Sequence, residues 1–99
     1  MINVQTQLIH QGCQSAAQGW VAQYEVMLGL MQRTGATGHQ IIENPIFGWD
    51  RVDLYGNPVI DPNFSHMLAD NADAGATNAQ VYGEAVQLCL WENNMETGQ

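Results

Sequence analysis

Lysine is missing from this sequence, and its two basic residues are Arg33 and Arg51. Without lysine there is no Schiff base, no catalytic amine and no P-loop phosphate clamp. Ten acidic residues against two arginines leave a formal charge of −8 over 99 residues. That excludes nucleic acid as a partner, because its binders neutralise rows of phosphates. Charge of either sign is sparse, at 12% of residues against the usual quarter. Long apolar runs are missing too: none approaches the ~20 residues of a membrane span. Met1-Ile2-Asn3-Val4 lacks the basic start of a signal peptide. The expectation is a chain made in the cytoplasm with no membrane role. Cys13 and Cys89 are too few for a disulfide scaffold. Buried, reduced thiols are the default, although the spacing alone does not decide whether the two are bonded.

What the chain has instead is amides and apolar side chains. Eleven glutamines and eight asparagines supply much of the polarity, giving hydrogen-bonding capacity without the desolvation cost of a charge. Such a surface suits wet protein–protein contacts and equally suits plain solvated helix faces. Hydrophobic residues make up 45% of the chain, enough for one small domain spanning 1–99. A domain of this size buries only somewhat over ~60% of its unfolded surface. Help from a partner or from further copies is therefore anticipated.

The spacing predicts a mainly α fold. Ile9, Cys13, Ala16, Trp20, Tyr24, Met27 and Met31 recur in steps of three and four, so a helix is expected over 8–34. Leu8, Ala17, Val21 and Leu28 widen its apolar stripe. Gly12, Ala16 and Gly19 share one side, where small residues would let another element approach closely, unless Gly12 marks a break. Val26 to Met31 is apolar all round, which makes Leu28 and Met31 candidate partner-binding residues. Arg33 in the last turn and Gly35 beyond it end the element.

The segment 41–60 reads as an extended arm or β-hairpin. Val52 and Leu54 alternate there with Trp49, Arg51, Asp53 and Tyr55, and Tyr55-Gly56-Asn57-Pro58 forms a turn. Phe47, Trp49, Arg51 and Tyr55 are the candidate anchors for a partner, since aromatic groups in so short a segment have no core of their own. Asp61 as cap and Pro62 at the first position open a helix over 62–73. Met67, Leu68 and Ala72 should face inward, while Asp70 and Asp73 sit badly for the helix dipole. Thr77-x-x-Gln80 has capping-box form and opens a last helix over 78–92, with Tyr82, Ala85, Val86, Cys89 and Leu90 inward. A rival reading makes Val86, Leu88 and Leu90 alternate as a strand. Residues 93–99 form a polar tail. No internal repeat or linker stands out. Two shorter helices thus pack back on a long N-terminal one.

Chemistry is hard to place. His10 and Cys13 share a helical face, with His39, His66 and Cys89 as further ligand types, but zinc sites show two close ligand pairs and here there is one. Ser65 and His66 are adjacent and cannot face each other on a helix. The sequence therefore points to a protein without catalytic, cofactor or metal residues. Its expected role is a structural subunit of a phage virion or a comparable assembly, acting through itself or other subunits. The alternative is an acidic inhibitor or immunity-type protein, a phage-encoded anti-defence protein included, that blocks a basic site on an enzyme or toxin.

Overall fold

The four-and-three spacing of the first third forms one helix, α1, Val4–Thr34. Cys13, Ala17, Trp20, Tyr24 and Met27 are its buried stripe. The structure is a computed structural model and describes residues 4–43, 50–52, 58–60 and 62–93. α1 starts ahead of the expected Leu8 and runs unbroken through Gly12, Gly19 and Gly29. Each glycine costs about 1 kcal/mol against alanine, yet helix stability in a protein comes mostly from packing one face. The stripe outweighs the glycines.

Helix ends follow local chemistry. Gly35, at φ 75°, donates its N–H to the Met31 carbonyl at 2.9 Å and closes α1. A short helix, α2 (Gly38–Ile42), then begins where an extended arm was expected, so the 41–60 reading is corrected at Ile41 and Ile42. Its cause is a string that occurs twice, Gly-Ala-Thr-x-x-Gln at Gly35–Gln40 and at Gly75–Gln80, against the expectation of no repeat. In both copies the threonine accepts from the backbone N–H of the glutamine, whose side chain accepts from the threonine N–H, a complete capping box. The second copy opens α4, Asn78–Glu92, which carries Val86, Leu88 and Leu90 as helix rather than strand.

Between them lies α3, Pro62–Ala74. Gly75 at φ 73° donates to the Ala72 carbonyl at 3.2 Å and Ala76 donates to the Asn71 carbonyl at 2.9 Å, which together make a Schellman end. Asp73, unfavourable for the dipole of its own helix, is explained by α2. Its carboxylate accepts from the Gly38 N–H at 2.7 Å and the His39 N–H at 3.4 Å. Gly38 is needed there, because a Cβ would stand 3.0 Å from the Ala69 carbonyl oxygen.

Two strands, β1 (Asp50–Val52) and β2 (Pro58–Ile60), pair antiparallel with Arg51 opposite Val59. The segments 44–49 and 53–57 lie outside the described residues, as do Asp61 and the tail 94–99.

Directions follow from cross-helix pairs. Cys13 meets Cys89 and Glu25 meets Asn78, so α1 and α4 are antiparallel. Trp20 stacks on Phe64 at 4.8 Å, and Tyr24 reaches the Asn71 and Ala76 carbonyls, so α1 and α3 are parallel. Leu68, Ala72, Ala85, Cys89 and Leu90 are buried as expected, whereas Tyr82, Val86 and Met67 are only partly so. Phe64 and Val81, which the periodicity did not mark, are fully buried.

Two inward assignments are corrected. Leu8 is 61% exposed; five residues before Cys13, it lies about 140° round the helix from that buried residue, on the outer side. Gly19 is not closely approached either, since an added Cβ there would meet nothing within 4 Å.

Candidate protein–protein interface

α3 and α4 form an antiparallel hairpin whose register can be read from two hydrogen bonds. The Asn71 side chain donates to Glu84 at 2.7 Å, and Asn63 donates to Glu92 at 3.4 Å. Eight residues separate the partners on each helix, so Met67 and Leu88 stand level midway between those bonds. The core residues of the two helices face α1. The opposite side of the hairpin is an open groove of about 770 Å³. Met67, Leu88 and Trp91 supply its apolar surface, and His66, Asp70 and Glu84 stand among its polar residues.

Trp91 is 65% exposed, a large apolar ring left out of the core at one end of the groove. Asp70 and Glu84 lie at the other end, both exposed. Seven residues separate Glu84 from Trp91, about 10.5 Å along a helix. Asp70 also meets His39 Nε2 at 2.7 Å, but its side chain remains 71% exposed, and such a surface pair contributes about 1 kcal/mol at most. Among the described residues the lining holds Asp70 and Glu84 and no arginine, so the rim is anionic there.

A second surface is the back of α1. At 100° per residue, Val4, Leu8, Ser15, Gly19, Ala22 and Val26 fall on the face turned away from the core. All six are exposed, Val4 by 72% and Val26 by 50%. This stripe is uncharged over about 33 Å and ends at Arg33, on the same face two turns after Val26. Arg33 makes no ion pair among the described residues. Its Nη1 lies 3.6 Å from where a Gly29 Cβ would stand, so the guanidinium folds back along the helix beside Gly29.

The candidate partner residues fall differently. Phe47, Trp49 and Tyr55 lie outside the described residues, and Arg51 is placed only by its backbone in β1. Leu28 and Met31 are half-buried and pack against the core. The exposed members of that run are Val26 and the arginine beyond it.

The thiols are corrected outright. Cys13 and Cys89, both fully buried, form a disulfide across 76 residues that joins α1 to α4. It uses both sulfurs that the zinc reading would have needed, and among the described residues no three His, Cys, Asp or Glu side chains converge. His10 Nε2 is buried without a hydrogen-bond partner. Ser65 is buried while His66 is exposed, so the helix turns them to different surroundings.

Tyr24 lies with its hydroxyl turned into the core. Burial pushes its hydroxyl above the ordinary value near 10. It donates chiefly to the Ala76 carbonyl at 2.7 Å, with the Asn71 carbonyl at 3.2 Å. The bond ties α1 to the loop that opens α4. No helix among the described residues is long and apolar enough to cross a membrane. The chain matches no family, no curated protein and no solved structure.

Proposed function

We propose that this protein is a non-enzymatic assembly subunit, of the kind found in a phage virion or a comparable multisubunit particle. The observation that carries the reading is the uncharged outer face of α1, with Val4, Leu8 and Val26 exposed along one side of a 31-residue helix. In a chain of charge −8, this is a surface on which copies can meet without setting acid against acid. The disulfide supports a working life outside a reducing cytosol, as in a released particle, because such bridges persist in oxidising surroundings. Synthesis in the cytoplasm and bridging after release fit together.

The test is light scattering coupled to size exclusion on the oxidised protein. The expected mass is a multiple of 10.9 kDa that falls toward the single chain in the Leu8→Ser, Val26→Ser double variant. A stable monomer at millimolar concentration would defeat the reading. The anionic rim at Asp70 and Glu84 favours a second reading, the acidic inhibitor, in which the protein stays monomeric until a basic target is added.

A further inference from the structure

We propose that the α3–α4 groove receives the outer face of α1 from a second copy of this chain, with the incoming Arg33 against Asp70 and Glu84 and the incoming Val26 against Trp91. This rests on the assembly reading and specifies its joint. Both surfaces carry the same pattern in complementary form. Glu84 and Trp91 are seven residues apart on α4, and Val26 and Arg33 are seven apart on α1, each about 10.5 Å. The charge signs match in a direction that sequence composition makes unusual. Arg33 is one of two basic residues in the chain and has no acidic partner among the described residues.

Direction agrees as well. Placing Arg33 at the Glu84 end and Val26 at the Trp91 end sets the incoming helix antiparallel to α4 and parallel to α3. The chain's own α1 has that same relation to the hairpin on its inner side, as the Cys13–Cys89 bridge and the Trp20–Phe64 stack show. The hairpin is then held between two copies of one helix, one internal and one borrowed. Because the outer face of α1 and the groove lie on opposite sides of the subunit, the contact is head-to-tail and repeats rather than closing as a two-fold dimer. One helix-in-groove joint is small beside the ~1,600 Å² of a standard interface. Each joint is therefore weak, and association depends on concentration.

The experiment uses the full oxidised chain and charge exchange. Arg33→Glu and Glu84→Lys are each purified and followed by sedimentation velocity across micromolar to millimolar concentrations, with thermal melting as the check on folding. Each variant alone should associate about tenfold more weakly or worse, since like charges are then opposed. Mixed in equal amounts they should associate again, because each groove now finds its opposite sign on the other variant's α1. Should Glu84→Lys melt early through loss of its bond to Asn71, Glu84→Gln replaces it; it should weaken association alone and recover pairs, though not longer chains, on mixing with Arg33→Glu, whose groove is unchanged. Variants that associate as well as the parent would overturn the joint while leaving assembly standing. So would loss of association with no recovery on mixing in folded variants. A parent chain that remains monomeric throughout would overturn both, and capture of a basic protein by that monomer would transfer the groove to the inhibitor reading.

Discussion

The two faces of α1 differ in what they teach. The inner face presents Cys13, Trp20, Tyr24 and Met27, each no more than 1% exposed, while the outer face leaves Val4, Leu8 and Val26 at half exposure or above. Both carry apolar residues at helical spacing, so hydrophobicity alone does not separate them. What separates them is company. Inward residues are fixed by a covalent bridge, an aromatic stack and a buried hydroxyl, whereas Val4, Leu8 and Val26 remain at least half exposed. The inner face accounts for the fold, and the outer face leaves apolar side chains in solvent.

Several variants would break or sharpen that contrast. The largest effect belongs to the bridge. Closing a loop of this length removes about 4–5 kcal/mol of denatured-state entropy in the chain-entropy treatment. Cys13→Ser with Cys89→Ser should therefore shift urea unfolding by that order, and an unchanged midpoint would mean the inner face holds without it. Trp20→Ala comes next, costing about 3–5 kcal/mol in the same assay as a lost core tryptophan. Gly19→Ala, on the outer side, should stabilise the isolated subunit by up to about 1 kcal/mol, because helix propensity rises and the space is open. A loss of stability instead would show that the outer face is packed. Leu8→Ser and Val26→Ser should stay within about 0.5 kcal/mol in melting while lowering the associated mass. At neutral pH the Tyr24 shift contributes no pH dependence. Its raised folded-state pKa means the native state keeps its proton longer than the unfolded chain, so stability is retained below about pH 10 and falls as pH rises beyond it. A melting temperature rising above pH 10 would contradict that burial.

Much of the fold was legible because it is local. Thr77-x-x-Gln80 announced α4, and the spacing from Cys13 to Met27 announced the inner face. The same capping chemistry at Thr37-x-x-Gln40 was passed over, since it stands before a segment holding all three prolines and yields only five helical residues. Asp73 looked like an error until α2 supplied the N–H groups it accepts from. The bridge was not legible, because two cysteines 76 residues apart form no motif and meet only when α1 and α4 run antiparallel. Leu8 differs for another reason: about 140° round the helix from Cys13, it widens the apolar count of α1 but not its inner stripe. The groove was missed because Glu84, Leu88 and Trp91 acquire meaning only beside Met67 and Asp70, in a register that the side-chain bonds between α3 and α4 define.

The Cys13–Cys89 bond also decides how the subunit would carry a pull. Tension applied between the segments flanking it, before Cys13 and after Cys89, passes from one sulfur to the other and bypasses the 75 residues between them. The Trp20–Phe64 stack and both capped turns lie inside that covalent loop and bear none of the load. A chain strained along those flanking segments would stretch at Val4, Leu8 and Trp91 first, leaving the fold between the two cysteines in shape.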